Sequence, residues 1–305
     1  MADVIGLGNA IIDITAFVSG TLSQISFQNI YRGGFFRTTQ EEFESIKKCL
    51  QNERLGCGGS VANSLKAMAV LGISTGFVGK VGSDIEGLRF KEDLGIYNVE
   101  NLLTIDETAQ TACTLILVHE DGEKSMCGKM GASKFIYPQD IVWNALEQAK
   151  LIFIEGYWLD HNAEVVRTIV DFAVAHGIKM ALTLSDPIIV REKLEEIEAL
   201  LPKIDIIIGN ENEFAALGKK KFEIAAVTKG AAGVDLCVHG VWSNFAAPKI
   251  EKICNTSGAG DAFAGGFLTG LMKGLSVEEA VSVGQLCAVN VLQRNESIVS
   301  RDFRV

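Results

Sequence analysis

The sequence predicts an α/β fold in which a mostly parallel sheet is covered by helices on both faces and carries a small additional β-sheet. From residue 138 onward, short apolar strands alternate with helical segments, and this alternation is typical of parallel sheets. Residues 15–40 and 97–127 look β-rich and interrupt the alternation, so we expect them to form one small sheet beside the α/β core. Hydrophobic residues make up 48% of the 305 residues, which excludes a disordered chain.

Glycine turns separate the predicted elements of the N-terminal half. Strands and helices are assigned from the spacing of apolar residues and from β-branched content. Thr38 or Thr39 is the expected N-cap of the first helix, and residues 56–60 are interpreted as a glycine turn. The predicted strands are 4–8, 75–81 and 108–118, with a hairpin return at 124–127, and the predicted helices are 39–51, 61–71 and 85–94.

The C-terminal half has the more regular pattern. Its strands are short and apolar, as expected for strands that are buried on both faces of a parallel sheet. The predicted strands are 151–154, 179–184, 204–209, 224–228 and a pair near 233–247, and the predicted helices are 138–149, 162–176, 189–200, 211–217, 259–274 and 277–294.

Charge and cysteine content exclude several classes of protein. The net charge of −10 is opposite to that of proteins that bind nucleic acids or anionic membrane surfaces. Seven scattered cysteines without a Cys-x-x-Cys pair, and four scattered histidines, argue against a disulfide framework or a zinc site. The apolar helical stretch 262–272 is too short to span a bilayer, and residues 4–14 read as a strand and turn rather than a signal peptide. We therefore expect a cytoplasmic protein.

The strongest chemical motif is Asn255-Thr-Ser-Gly-Ala-Gly-Asp261, which precedes a long apolar helix. Small residues at a helix N-terminus leave backbone N–H groups accessible to an anion. A carboxylate beside an anion site is unfavourable unless it takes a proton from a hydroxyl that attacks a phosphate. A glycine turn followed by a capping Asp is the structural alternative. The Gly-x-x-x-x-Gly-Lys-Ser/Thr loop of P-loop proteins does not occur in the chain.

Two N-terminal segments carry polar groups in apolar or glycine-rich surroundings. Asn9 and Asp13 follow the first strand, and a buried carboxylate must be paired or must bind something, such as a diol. The segment only half-matches the dinucleotide fingerprint, because Ile11 replaces the third glycine. Gly58 and Gly59 allow a ligand to approach the backbone, and Asn63 lies on the next helical turn. Structural roles, as a strand-exit cap and a glycine turn, remain open for both segments.

Two further motifs follow strands of the predicted parallel sheet, where open α/β sheets bind ligands. Asn210 and Glu213 lie three residues apart on one face of a helical turn and suit a Mg²⁺ ion that keeps its waters. Thr228, Gly230 and Gly233 lie in a segment whose glycines suit a tight turn that presents backbone to a nucleotide. An N-capped helix start and a plain β-turn are the respective structural alternatives.

Taken together, the motifs resemble those of the ribokinase-like (pfkB) family of kinases, and within it they are most similar to those of adenosine kinases. The resemblance covers nearly the whole chain. Segments 8–14, 121–126, 155–157 and 184–187 are the ones similar to adenosine kinases. The family motifs are Gly58-Gly59 with Asn63, Gly79-Lys-Val-Gly82 with Asp84 and Gly87, Asn210-x-x-Glu213, Thr228-Lys-Gly230 with Gly233, and Gly258-Ala-Gly-Asp261.

The resemblance implies a three-layer α/β/α core of about nine strands with a β-sheet lid over the substrate site. The implied core is 1–14, 41–96 and 128–305, and the implied lid is 15–40 and 97–127. It also implies an ATP- and Mg²⁺-dependent kinase, monomeric or homodimeric, that phosphorylates a primary hydroxyl, with adenosine as the leading acceptor. The implied roles are Asp261 as base; Gly258, Ala259 and Gly260 as anion hole; Lys124 as lid cation; Asn9, Ile11, Asp13, Gly58, Gly59, Asn63 and Tyr157 for the substrate; Asn210, Glu213, Thr228, Gly230, Gly233 and Ser257 for ATP; and Asn210 with Glu213 for Mg²⁺ through water.

Two positions depart from the family pattern. Asn255 stands where the family usually has an Asp near a monovalent cation site, which puts activation by K⁺ in doubt. Lys124 replaces an Arg and loses the bidentate geometry of the guanidinium group. A ribokinase- or fructokinase-like sugar kinase is the alternative within the same class, and an inactive nucleotide-binding regulator is the alternative from a different class.

Overall fold

Two β-sheets organise the molecule in the computed structural model, which describes residues 2–18, 35–50, 53–120 and 124–305. The large sheet has nine strands and the small sheet has five. In spatial order, the large sheet contains β14 (Val241–Phe245), β13 (Val234–Val238), β12 (Ile224–Thr228), β11 (Ile206–Asn210), β10 (Lys179–Thr183), β9 (Leu151–Glu155), β1 (Val4–Leu7), β5 (Thr75–Gly82) and β6 (Glu100–Asp106). The small sheet contains β3 (Phe35–Arg37), β8 (Lys124–Lys129), β7 (Ala112–Val118), β2 (Ile11–Phe17) and β4 (Arg54–Gly58).

The large sheet is parallel from β12 to β6, and β13 and β14 complete it as antiparallel strands. β1 lies in its centre, where Val4 pairs with Thr75 of β5 on one side and with Leu151 of β9 on the other. The small sheet is mixed, since β2 runs parallel to β7 and antiparallel to β4. β2 follows β1 after three residues, so the chain passes directly from one sheet into the other.

Helices cover both faces of the large sheet. Successive residues of a strand point to opposite faces, so Val4 packs in one hydrophobic cluster and Ile5 in the other. The first cluster contains Phe263 and Phe267, and the second contains Trp158. The α-helices are α1 (Gln40–Lys48), α2 (Ser60–Val70), α3 (Ile85–Ile96), α4 (Trp143–Glu147), α5 (Trp158–His161), α6 (Ala163–His176), α7 (Pro187–Glu192), α8 (Leu194–Leu200), α9 (Glu211–Leu217), α10 (Ala259–Met272) and α11 (Val277–Leu292).

The predicted fold class is confirmed: helices sandwich a large, mostly parallel sheet, and a small second sheet is present. Most predicted elements agree with the structure to within a few residues. Thr39 caps α1 with the capping box that its acidic first turn suggests. The hairpin prediction also holds, because β7 and β8 pair antiparallel. Among the described residues, no helix is both long and apolar enough to cross a membrane.

Three local predictions were wrong. Residues 54–58 form strand β4 rather than a glycine turn, because the segment pairs with β2. The single helix predicted at 189–200 is two helices, since α7 begins at Pro187 and ends at Glu192, before α8. The helix predicted at 138–149 is a short 3₁₀ turn at Pro138–Asp140 followed by α4.

The strand order also corrects the division between core and small sheet. β2 crosses the predicted boundary after residue 14 and belongs to the small sheet, as does β4, which was assigned to the core. β6 was assigned to the small sheet but extends the large one beside β5. A run of β-forming residues shows that a strand is present, but the sheet that it joins depends on pairing between distant segments. The predicted segment 15–40 falls largely outside the described residues.

Candidate active site

The N-terminus of α10 has the backbone geometry that the sequence analysis expects of an anion site. Gly258 precedes the helix with φ = 78°, and a Cβ atom on it would lie 1.9 Å from the carbonyl oxygen of Ser297, so only glycine fits. A Cβ atom on Gly260 would point into open space. Before the helix, Asn255 Oδ1 accepts a hydrogen bond of 3.0 Å from the Ser257 N–H group. The first N–H groups of an α-helix have no partner within the helix, so this end can receive a phosphoryl group.

Asp261 lies on the first turn of α10, and helix α2 fixes its carboxylate. Ser60 Oγ donates to Oδ1 over 2.7 Å, and Asn63 Nδ2 donates to Oδ2 over 3.0 Å. Ser64 Oγ donates to the Asp261 backbone carbonyl over 2.9 Å. Burial raises the pKa of the Asp261 carboxyl, while these side-chain hydrogen bonds and the charge of Lys66 oppose the rise. The carboxylate is thus held in one orientation beside the backbone anion site.

Two buried amide side chains near this carboxylate have oxygens that lack a partner. Asn9 is 2% exposed and Asn63 is 7% exposed. Within the described residues, neither Oδ1 atom accepts a hydrogen bond. A buried polar atom without a partner costs roughly 1–3 kcal/mol, so these oxygens indicate a place for water or for the hydroxyl groups of a ligand.

Asp13 and the two glycines of the β4–α2 junction lie together on this side of Asp261. A Cβ atom on Gly58 would lie 2.3 Å from Asp13 Oδ2. Gly59 has φ = 95°, and a Cβ atom on it would lie 2.5 Å from the Asn9 carbonyl oxygen. Burial, followed by the nearby negative charge of Asp261, raises the pKa of Asp13 to about 7. We call Asn9, Asp13, Gly58, Gly59 and Asn63 the acceptor side of the site.

Glu155 also belongs to this region, although the sequence analysis gave it no role. It is 1% exposed, and its carboxylate accepts hydrogen bonds from the N–H groups of Asn9 over 2.8 Å and Val61 over 3.4 Å. Burial raises its pKa to about 8. The available signal was its position, because an acid ends the otherwise apolar strand β9. Glu155 links the end of β1 to the start of α2.

The structure gives less support for the two residues that were predicted to contact a base. Tyr157 immediately precedes α5 and is 36% exposed. Ile11 begins β2, where it pairs with Gly58 and Ala112, and it is half-buried. Lys124 begins β8, but its side chain and residues 121–123 lie outside the described parts of the chain. The base-binding and lid roles of these residues remain predictions.

On the opposite side of the α10 N-terminus lies a cavity of about 560 Å³, which we call the donor cavity. Its lining includes Thr228, Gly230 and Gly233 together with Ala259 and Gly260, whereas Ser257, Asn210 and Glu213 are not among its lining residues. Nucleotide binding in this cavity remains a prediction. Its volume lies within the range of small-molecule sites. The remaining wall is mainly apolar and comprises Ala231, Val234, Ala247, Pro248, Lys249, Ile250, Ile253, Thr256, Phe263, Gln285, Ala288, Val289 and Leu292.

Gln285 is a polar residue of this wall that the sequence analysis missed. Its Nε2 donates to the backbone carbonyls of Ala246 over 2.9 Å and Phe245 over 3.4 Å. These bonds orient the amide oxygen as a fixed acceptor. A single Gln inside helix α11 gives no sequence signal of this kind.

Asn210 and Glu213 form a capping box at the start of α9. Asn210 Oδ1 accepts from the Glu213 N–H group over 3.0 Å, and Glu213 Oε2 accepts from the Asn210 N–H group over 2.9 Å. Burial, together with the charges of Asp186 and Asp261, raises the pKa of Glu213 to about 7. Among the described residues, no cluster of three His, Cys, Asp or Glu side chains could enclose a metal ion. Asn210 Nδ2 also donates to Glu213 Oε1 over 2.6 Å, so both side chains take part in the cap, and their role in holding Mg²⁺ through water remains a prediction.

A helix N-terminus that begins with small residues and adjoins a fixed carboxylate, with a cavity on one side and buried polar groups on the other, has a geometry suited to phosphoryl transfer to an alcohol group. The model of the pfkB family carbohydrate kinases matches residues 35–303, so the chain belongs to that family. It is an enzyme of the phosphotransferase class with an alcohol acceptor, and kinases of this family use ATP and Mg²⁺ in general.

Individual relatives differ in the acceptor that their names state. The chain is 28% identical to adenosine kinase 2 of Arabidopsis thaliana, covering 96% of this chain and 94% of that protein. It is 29% identical to the ATP-dependent ribose-1-phosphate kinase of Halopiger xanaduensis, covering 78% and 81%. The crystal structure of adenosine kinase from Sinorhizobium meliloti matches with a TM-score of 0.89 at 29% identity, covering 97% and 95%. The similarity therefore supports a nucleoside or sugar kinase without fixing the acceptor.

Proposed function

We propose that the protein transfers the γ-phosphoryl group of ATP to a primary hydroxyl of a nucleoside, with adenosine as the acceptor and AMP as the product. The observation that carries this proposal is the fixed Asp261 carboxylate. It lies next to the anion site of α10 and is oriented by Ser60 and Asn63. A base at this point can take the proton of a hydroxyl while the neighbouring N–H groups hold the group that the hydroxyl attacks.

In the proposed reaction, each side of the site has one task. On the acceptor side, Asp13 accepts hydrogen bonds from two sugar hydroxyls, and the free Oδ1 atoms of Asn9 and Asn63 accept from others. Asp261 takes the proton of the primary hydroxyl as its oxygen bonds to the γ-phosphorus and the bond from the γ-phosphorus to the β,γ-bridging oxygen breaks, releasing ADP. The N–H groups at Gly258, Ala259 and Gly260 stabilise the charge of the transferred phosphoryl group.

The donor nucleotide would occupy the donor cavity, with its base against the apolar wall and its phosphates directed at the α10 N-terminus. Asn210 and Glu213 would hold Mg²⁺ through water, and the bound ion would neutralise phosphate charge. Asn255 Oδ1 already accepts the Ser257 N–H group, and an amide brings no negative charge to a monovalent cation. The reaction as proposed does not require K⁺.

Adenosine is preferred over a free sugar because Ile11 and Tyr157 can form an apolar slot for a purine, and two adenosine kinases are among the similar proteins reported above. A sugar or sugar-phosphate kinase is the second candidate, favoured by the similarity to the ribose-1-phosphate kinase. It would use the same hydroxyl-binding groups without the slot. The intact Asp261, with its hydrogen bonds in place, argues against an inactive nucleotide-binding regulator.

A phosphoryl-transfer screen tests the proposal. Purified protein is incubated with ATP, Mg²⁺ and one acceptor, chosen from adenosine, inosine, ribose, fructose and ribose-1-phosphate, and ADP formation and the phosphorylated product are measured. We expect the highest kcat/KM for adenosine. A higher kcat/KM for a sugar or sugar phosphate would replace the nucleoside proposal with the second candidate, and product formation with none of the acceptors would contradict both.

A further inference from the structure

Helix α2 contains a lysine whose side chain is entirely buried. Lys66 is 0% exposed, and its ammonium group forms an ion pair with Asp93 of α3. It also lies 3.5 Å from the Cys57 carbonyl oxygen, and 5.9 Å and 5.7 Å from the ring centroids of Phe90 and Tyr97. Well-packed apolar residues often serve stability as well as a buried ion pair does. Stability alone therefore does not explain a charge at this position.

The location of Lys66 connects it to the active site. It lies one helical turn beyond Asn63, which donates to Asp261. The Cys57 carbonyl that it approaches directly precedes Gly58, and Gly58 lies against the Asp13 carboxylate. The ammonium group thus lies behind the acceptor side, next to the strand end whose glycine contacts Asp13 and one turn from the residue that binds Asp261.

Around Asp261, the described residues include three other carboxyl groups. Asp13 reaches the site from β2, Glu155 from β9 and Glu213 from α9, and the negative charge of Asp261 raises the pKa of each of these three carboxyls. Lys66 has the opposite effect and lowers the pKa of both Asp13 and Asp261. Asp93 pairs with Lys66 from α3 and offsets part of its charge.

We propose that Lys66 is a positioning residue whose buried charge favours the ionised forms of both Asp13 and Asp261. Both acids must be ionised in the proposed reaction, because Asp13 accepts hydroxyl hydrogens and Asp261 accepts a proton. Lys66 touches neither the acceptor nor ATP in this arrangement and acts through the two carboxylates. The part of this inference that concerns the role of Lys66 in turnover rests on the proposed function.

Two opposite substitutions test the charge rather than the packing. Lys66→Met removes the cation at similar volume, and Asp93→Asn removes the anion that offsets it. We expect the acid limb of the pH profile of kcat/KM to move to higher pH in Lys66→Met, by about half a pH unit or more, and to lower pH in Asp93→Asn. A role in packing alone would lower activity in both variants without moving the limb in opposite directions. Equal midpoints in all three proteins, or shifts in one direction, would overturn the proposal.

A second measurement does not depend on knowing the acceptor. The carboxyl ¹³C resonances of Asp13 and Asp261, assigned with Asp13→Asn and Asp261→Asn, are titrated in the wild-type protein and in both charge variants. We expect both midpoints to rise in Lys66→Met and to fall in Asp93→Asn. If Lys66→Met does not fold, the Asp93→Asn titration still decides, because an unchanged or raised midpoint there contradicts the proposal. Failure of the acceptor screen would remove the proposed function and leave this titration valid.

Discussion

The two sides of Asp261 differ in whether backbone groups or side chains form them. The predicted anion site next to the donor cavity consists of the backbone of one short segment, Gly258–Gly260, and the cavity wall beyond it is mainly apolar. The acceptor side combines side chains from β2, α2 and the β1–β2 connection, and Glu155 of β9 supports it. The backbone site depends on Gly258, where a Cβ atom does not fit, whereas the side-chain site depends on charge and on which atoms remain without a partner. Substitutions on the two sides should therefore impair the enzyme in different ways.

Asp261 belongs to both sides, and its replacement should have the largest effect. Asp261→Asn keeps the volume and removes the base, so we expect kcat to fall by about 10²–10⁴-fold or more. ATP affinity, measured by calorimetric titration, should stay nearly unchanged. The exposed Asp302→Asn is the matched control. Retention of most of the wild-type turnover in Asp261→Asn would remove the base from the proposed mechanism.

Glu155, which supports the acceptor side, should make the stability of the folded protein depend on pH. Its pKa is raised from 4.5 to about 8, so the folded state holds a proton that the unfolded state releases. The resulting stability is fully present below about pH 4.5 and is lost as the pH rises through 8. Wild-type protein should lose a few kcal/mol of unfolding free energy between pH 5 and pH 8.

In Glu155→Gln this loss should be smaller, because the amide does not titrate. Urea unfolding at pH 5, 6.5 and 8 measures it, and the exposed Glu211→Gln should behave like the wild type. Parallel pH profiles for wild type and Glu155→Gln would show that Glu155 is already ionised in the folded protein.

Asp13→Ala should damage the acceptor side alone. Loss of a charged hydrogen-bonding partner costs about 1.5–3 kcal/mol, which corresponds to a rise of roughly 10- to 100-fold in KM for the acceptor. KM for ATP should change little, because Asp13 lies on the other side of the α10 N-terminus from the donor cavity. Steady-state kinetics with each substrate varied in turn gives both values. Equal increases in the two KM values would indicate a structural role for Asp13.

Gly260→Ala should have the smallest effect. In contrast to Asp13→Ala, it should change the interaction with ATP and not that with the acceptor. The added methyl group points into open space, and alanine favours a helix by about 0.5–1 kcal/mol, so thermal stability should be unchanged or slightly higher. KM for ATP should rise a few-fold, because the methyl group enters the donor cavity, while KM for the acceptor stays the same. An acceptor-specific change would mean that the cavity is not the donor site.

The same contrast explains what the sequence could reveal. The α10 site is local, so seven consecutive residues were enough to predict the glycine turn, the helix start and the position of Asp261. The acceptor side requires β1, β4 and β9 to meet, and only the family resemblance brought Asp13 and Asn63 together in advance. The bonds of Glu155 and the burial of Lys66 depend on packing that no local pattern encodes. Strand β4 was missed for a related reason, since a strand rich in glycine resembles a turn until its partner is known.

The central position of β1 has a consequence for how the chain reaches this structure. β9 to β14 each lie beside the strand that precedes or follows them in the chain, so that part of the large sheet can form from local contacts. β1 must instead wait for residue 151 to be synthesised before Val4 finds Leu151. Closing so long a loop is slow, and an unpaired strand edge promotes aggregation in the meantime. The strand that leads directly into the acceptor side thus depends on a partner strand that lies 147 residues further along the chain.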